Sequence, residues 1–247
     1  MIIVHKYGGS SVATTDKIIE IAKYLGEVKD QGHDVIVVVS AMGKRTDALI
    51  SLAKEITKDP DKRELDRLMS TGEQTTIALL AIALKSLGYD AISLTGVQAG
   101  IKTSGFHTKN VIDSVDNNKI NDLLKEGKIV IVAGFQGVNS RGDVTTLGRG
   151  GSDTSAVALA AALGAKCEIY TDVDGIYSID PRVYKEAKKL PLISYDEMME
   201  LAFLGAGVME PRAVELGKKY GVEIYVGKSL GEKNGTIICA EEKCMEK

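Results

Sequence analysis

The sequence predicts an α/β fold: a mostly parallel, twisted sheet sandwiched between helix layers. Two patterns carry that expectation. Short apolar runs at 2–4, 35–39, 129–133 and 168–170, with a weaker one at 91–94, lack two-residue alternation, so they read as parallel strands covered on both faces. Helical patterns lie between them, which gives the alternation of a layered α/β sheet. The size agrees: 247 residues, 44% hydrophobic and 26% charged, suffice for one large domain or two intimate lobes around a sizeable core.

Each element has its own justification. The first strand runs into Lys6-Tyr7-Gly8-Gly9-Ser10-Ser11, and a helix is expected to begin near Thr14 and Asp16. After the strand at 35–39, Thr46 could serve as N-cap for a helix from Asp47, and Pro60-Asp61 marks a break between helices. Thr71 and Gln74 fit a capping box, with Glu73 in the first turn of the helix it would open. Ile77, Leu80, Ala81, Leu84 and Leu87 recur at helical spacing and stop at Gly88. Ile120, Leu123 and Leu124 follow Asp116 and end at Gly127. Residues 152–163 are almost wholly small and apolar, which predicts a buried helix. Ser194 and Glu197 form a capping box before Met198, Met199 and Leu201; Pro211 opens the last helix and Gly221 closes it.

Composition excludes several classes. A net charge of −3 favours no nucleic acid, no basic run suggests a membrane surface, and no apolar run reaches the roughly 20 residues of a bilayer span. The N-terminus opens with a strand and not a signal peptide. Three cysteines without metal-ligand spacing suit a reducing, cytoplasmic location. His5, His33 and His107 are isolated, so neither a metal triad nor a serine-type triad is expected, and His5 falls on the strand face opposite Lys6. No P-loop, G-x-G-x-x-G, protein-kinase or nucleophile-elbow motif is present.

Five loops hold the candidate chemistry. Lys6, Gly8, Gly9, Ser10 and Ser11 form an anion cradle at a strand's carboxyl end, although a Gly-Gly pair is also an ordinary turn. Residues 40–47 sit at the same expected edge, where open α/β sheets bind ligands; Lys44 and Arg45 read equally as solvated charges. Glu73 either serves the helix dipole or receives a substrate ammonium. Gly134-Phe135-Gln136-Gly137 and then Gly148-Arg149-Gly150-Gly151-Ser152-Asp153-Thr154 lead into the buried helix. Ser152 or Asp153 could simply cap it, but three glycines around an arginine favour an anion site. The fifth loop, 170–182, starts like a calcium loop and lacks that motif's remaining ligands, so with Tyr177 and Arg182 it better suits a nucleotide.

Lys6-Tyr7-Gly8-Gly9-Ser10-Ser11-Val12, Thr71-Gly72-Glu73 and the run from Ala133 through Arg182 closely resemble the catalytic domain of aspartokinases, members of the amino-acid-kinase superfamily. The resemblance covers the chain to about Ile238. It implies the amino-acid-kinase fold and transfer of the γ-phosphoryl of ATP to the side-chain carboxylate of L-aspartate, the first step toward lysine, threonine and methionine. It further implies that Lys6 and Asp153 are catalytic, with Asp153 orienting Lys6. Ser40, Thr46, Glu73 and Arg149 would hold aspartate, Glu73 on the ammonium and Arg149 on the α-carboxylate. Lys6, Tyr7, Gly8, Gly9, Thr171, Asp172, Tyr177 and Arg182 would bind the nucleotide, with Mg²⁺ riding on its phosphates and no protein metal site.

The implied organisation is a catalytic domain over 1–238, with an amino-acid side of about 1–150, a nucleotide side of about 151–238 and a solvated tail at 239–247. Two departures from the family pattern stand out. Gly207 and Glu210 occupy positions where relatives often carry lysine and histidine, and the chain stops where relatives continue into small-molecule-binding regulatory (ACT) domains. The chain is therefore expected to be insensitive to lysine, threonine and methionine unless a separate regulatory subunit acts in trans. A homodimer is also left open. The competing functions are a kinase for another small amino acid and a nucleotide-binding regulatory subunit without catalysis.

Overall fold

The protein's structure is a computed structural model that describes residues 1–148, 150–205, 207–229 and 233–245. In chain order, β1 (Ile2–Tyr7), α1 (Thr15–Asp30), β2 (Asp34–Val39), α2 (Arg45–Ile56), α3 (Lys62–Ser86) and β3 (Ala91–Leu94) come first. Next are β4 (Ile101–Phe106), β5 (Lys109–Val115), α4 (Asn118–Lys125), β6 (Ile129–Ala133), β7 (Gln136–Val138), β8 (Val144–Thr146), α5 (Gly151–Leu163) and β9 (Lys166–Thr171). The remainder is β10 (Ile176–Tyr177), β11 (Lys189–Leu190), β12 (Leu192–Ser194), α6 (Tyr195–Phe203), α7 (Pro211–Tyr220), β13 (Ile224–Lys228), β14 (Thr236–Cys239) and α8 (Glu241–Met245).

Eight strands form the central sheet in the order β12-β14-β13-β9-β1-β2-β6-β3, parallel throughout except for the β13–β14 pair. Strand parity sorts the core. Val4, Ile36 and Val38 pack on one face with α4, α5, α6 and α7, while Ile3, Tyr7, Val37 and Val39 pack on the other with α1 and α3. The expected sandwich is therefore present. Among the described residues no helix is long and apolar enough to cross a membrane.

The parallel register aligns the strand ends that matter. Tyr7 pairs with both Val39 and Tyr170, and Val39 pairs with Ala133. Three backbone bonds prolong this edge: Ser40 N–H to Tyr7 O at 3.1 Å, Gly134 N–H to Val39 O at 3.1 Å, and Gly8 N–H to Tyr170 O at 3.2 Å. Four chemistry-bearing loops thus leave one edge of one sheet.

Several caps follow local chemistry as expected. Thr14 caps α1, Ser194 and Glu197 close both halves of their capping box, and Pro211 opens α7 before Gly221 ends it at φ +67°. The structure corrects two other start signals. Asp61 caps α3, so Thr71 and Gln74 lie in the middle of a 25-residue helix, and the Thr71 hydroxyl donates to Leu68 O instead. The helix runs on because Asp66, Met69, Ser70, Glu73, Ile77, Leu80 and Leu84 keep one buried stripe across both segments. The α2 helix begins at Arg45, which puts Thr46 inside it and not at its cap.

The sequence reading also missed a second sheet, β5-β4-β7-β8, whose polar strands alternate between buried and exposed residues. Beyond Ile238, where a solvated tail was expected, Cys239 is a buried strand residue and 241–245 form a short helix.

Candidate active site

A cleft of about 1090 Å³ lies at this sheet edge. Gly9, the 40–47 loop, the cleft face of α3, the β4–β5 tip, Phe135, and the glycine-rich turn before α5 all line it. Of the residues expected to hold an amino acid, Ser40, Thr46 and Glu73 meet here. Arg149 lies outside the described residues, but its neighbours Gly148 and Gly150 line the wall.

Glu73 is the most perturbed of these groups. It is 3% exposed, and its Oε1 accepts the Ala41 N–H at 3.1 Å. Its Oε2 is buried with no partner among the described residues. Burial raises its carboxyl pKa to about 7, against hydrogen bonds from the Glu73 and Ala41 N–H groups that hold it down. An orphaned carboxylate oxygen in a cleft wall suits a cationic ligand group.

The glycine-rich turn opens α5 toward the cleft. Gly150 takes φ +62°, and a Cβ there would lie 2.5 Å from Glu210, so glycine is required on both counts. Sequence reasoning left Ser152 and Asp153 as candidate caps, and the structure assigns them elsewhere. Ser152 Oγ lies 2.8 Å from Ser40 Oγ, and Asp153 Oδ1 lies 2.6 Å from Lys6 Nζ. No side chain of the described residues caps α5; the Gly148 and Gly150 carbonyls take the Gly151, Asp153 and Thr154 N–H groups, and the positive end of the helix dipole favours an anion there.

Lys6 and Asp153 are both buried and sit just behind the lining, beside Gly8 and Ser152. Gly9 admits the crossing 41–43 loop, since a Cβ would lie 2.9 Å from Ala41 O. Two parts of the expected cradle change. The Gly8 N–H is taken by Tyr170 O, and the Tyr7 phenol is fully buried on the opposite sheet face, stacked on Tyr170 with ring centroids 5.1 Å apart. The Tyr7 side chain therefore packs in the core, away from the lining of this cleft. His5 shares that buried face, as expected; burial lowers its pKa to about 4, so it is neutral 3.3 Å from Glu168.

Thr171 ends β9 and Asp172, Tyr177 and Arg182 follow it, but none of the four lines the cleft. Thr171 donates to Asp172 at 2.9 Å, Tyr177 to Asp174 at 3.1 Å, and exposed Arg182 pairs with Asp180 at 2.8 Å. Sequence reasoning also missed lining residues. Phe135 lay within a quoted motif without an assigned role, Arg212 follows the helix-opening Pro211, and nothing marked Thr108 and Lys109, which tertiary pairing brings in. No group of three or more His, Cys, Asp or Glu gathers to hold a metal among the described residues.

An anion-receptive helix end, a buried lysine–aspartate pair and a buried carboxylate around one cleft form a set that can hold a zwitterion against a polyanion. The chain is 57% identical to the aspartokinase of Bacillus sp. (strain MGA3), over 99% of this chain and 60% of that protein. It superimposes on aspartate kinase from Synechocystis with a TM-score of 0.87 at 48% identity, covering 97% of this chain and 40% of that one. E. coli aspartokinase III, in complex with aspartate and ADP, matches with a TM-score of 0.88 at 28% identity, over 97% of this chain and 65% of that one. The chain spans about 60% of the length of the curated relatives it matches. With the amino acid kinase family model matching residues 1–228, the glycine-rich edge and its buried charges have a family context: the chain belongs to the amino acid kinase family.

Proposed function

We propose that the chain carries the catalytic centre of an aspartate kinase, which transfers the γ-phosphoryl of ATP to the side-chain carboxylate of L-aspartate to give 4-phospho-L-aspartate. The observation that carries this reading is Glu73, a buried carboxylate with one oxygen unpartnered among the described residues, lining the same cleft as the glycine-rich turn. A ligand with an ammonium at one end and carboxylates at the other fits that polarity. The relatives named aspartokinase, 50–57% identical, support aspartate in particular.

In this mechanism Glu73 receives the ammonium, and Arg149, flanked by Gly148 and Gly150, grips the α-carboxylate through two parallel bonds. Ser40, Thr46 and Ser152 line the space between. The side-chain carboxylate is already ionised at neutral pH, so no general base is needed. Its oxygen attacks the γ-phosphorus as the bond to the ADP oxygen breaks. Lys6, held by Asp153, and the uncapped end of α5 offset the charge that gathers there.

The nucleotide lies toward β9, with Gly8, Gly9, Thr171, Asp172, Tyr177 and Arg182 around it. This divides the chain into an amino-acid side near 1–150 and a nucleotide side near 151–238, both served by one sheet. Mg²⁺ would supply charge neutralisation on the phosphates, carried mainly by them and by water.

The test is a substrate panel with Mg-ATP, trapping acyl phosphate as the hydroxamate. Aspartate-dependent hydroxamate is expected. Equal activity on glutamate would remove the assignment in favour of another small-amino-acid kinase, and nucleotide binding without turnover would favour a regulatory subunit.

A further inference from the structure

Asp66 is fully buried on α3, two turns before Glu73 on the same buried stripe, and the mechanism above does not use it. Its carboxylate collects donors from two other elements. The Thr108 N–H donates to both oxygens at 3.0 and 3.1 Å, His107 Nδ1 lies 2.6 Å from Oδ2, and Thr146 Oγ1 donates to Oδ1. His107 and Thr108 are the two-residue tip joining β4 to β5, where Phe106 pairs with Lys109. Thr146 ends β8, two residues before Gly148.

The tip does not hold its shape by local preference. Thr108 has φ +72°, a left-handed conformation that a β-branched residue adopts only under outside constraint. A tight turn with positive φ at its second central residue ordinarily places glycine there. Here the constraint is Asp66, which fixes the Thr108 amide and the His107 ring together. The consequence reaches the cleft, because Thr108 and Lys109 line it. The Thr108 carbonyl also abuts Gly148, at 3.3 Å from where a Cβ would stand.

From this geometry we infer that Asp66 is a positioning residue for the amino-acid side of the cleft. One carboxylate locks the hairpin tip and the approach to the glycine-rich turn onto the helix that carries Glu73. The inference rests on the reading above for its kinetic consequence, but its structural content does not depend on the substrate.

The experiment compares Asp66→Asn, Thr108→Gly and the double variant in the full chain. Asn keeps the shape but lacks the charge and one acceptor. Asp66→Asn is expected to raise the aspartate KM at least tenfold, leave the ATP KM within twofold, and speed hydrogen exchange of the Thr108 amide at least tenfold. Because glycine takes positive φ without help, the KM penalty of Asp66→Asn should be smaller in the Thr108→Gly background than in the wild type.

Unchanged Thr108 exchange, equal rises in both KM values, or the same penalty in both backgrounds would overturn the inference. If Asp66→Asn does not fold, His107→Ala removes one partner at a side chain one-quarter exposed. About a threefold rise in aspartate KM alone is then expected, and no rise overturns the inference. If the wild-type chain phosphorylates no aspartate, the functional reading falls, and the exchange measurement alone decides the role of Asp66.

Discussion

At the residue scale, the buried pair Lys6–Asp153 and the solitary Glu73 carry opposite expectations. In the proposed mechanism Lys6 acts on charge that moves during transfer, so Lys6→Ala should lower kcat by about 10²-fold or more, with a much smaller change in aspartate KM. Steady-state kinetics on both substrates checks this, and an unchanged kcat would take Lys6 away from the phosphates. In the same mechanism Glu73 acts on the bound substrate. Its pKa near 7 means that much of the free protein carries it protonated at neutral pH, unable to pair with an ammonium. The aspartate KM should therefore fall as pH rises through about 7, by up to about tenfold per unit below it. Glu73→Gln should raise the KM and flatten that dependence; a KM profile identical to wild type would show that Glu73 meets no ammonium.

At the element scale, α5 and α6 handle their N-termini in contrasting ways. Ser194 and Glu197 satisfy the first turn of α6 reciprocally, at 3.2 Å for the Glu197 N–H and 3.0 Å for the Ser194 N–H. That cap serves stability alone, because neither residue lines the cleft. Ser194→Ala should cost about 1 kcal/mol, or roughly 2–4 °C in Tm for a chain of this size, with kinetics unchanged. Calorimetry beside an activity assay separates the two effects. The α5 helix lacks such a cap, and Ser152 and Asp153, the residues that could provide one, are committed to Ser40 and Lys6. Backbone carbonyls of Gly148 and Gly150 take the Gly151, Asp153 and Thr154 N–H groups, so what α5 offers a ligand is the positive end of its dipole without a side-chain cap among the described residues.

At the scale of the whole molecule, two buried groups tilt stability against pH in opposite directions. His5 titrates near 4 in the folded chain against an ordinary value of 6.5. Over that window the unfolded chain binds more protons, and stability rises with pH. Glu73 titrates near 7 against 4.5, so the folded chain binds more protons between those values and stability falls as pH rises. Each effect is worth about 3 kcal/mol at full extent, and they largely offset each other between 4.5 and 6.5. Removing one should expose the other. Glu73→Gln is expected to become steadily more stable from pH 4.5 to 6.5 where the wild type stays nearly level, as denaturant titrations across pH would show. A level profile in the variant would mean that burial perturbs His5 far less, and a wild type that rises in parallel with the variant would mean the same of Glu73.

The sequence by itself determined whatever depends on neighbours within a turn or a strand. The β–α alternation, the Thr14 cap, the Ser194–Glu197 box, and the glycines that close α3 and α7 are all local chemistry. Strand parity likewise put Lys6 and His5 on opposite faces. Only the tertiary structure decided matters that join distant residues. Ala41 meets Glu73 across 32 positions, and Ser40 meets Ser152 across 112. Thr71 and Gln74 show the limit: a capping box needs a helix end, and a continuous buried stripe denied them one. The burial that raises the Glu73 carboxyl to about 7 and leaves one of its oxygens without a partner among the described residues is a tertiary fact that its motif could not show. Asp66 bore no local signal, because its meaning lies in the hairpin folded back onto it. Hydrogen bonds within four residues leave a spacing that can be read, whereas burial and long-range pairing arise only when the sheet brings its loops to one edge.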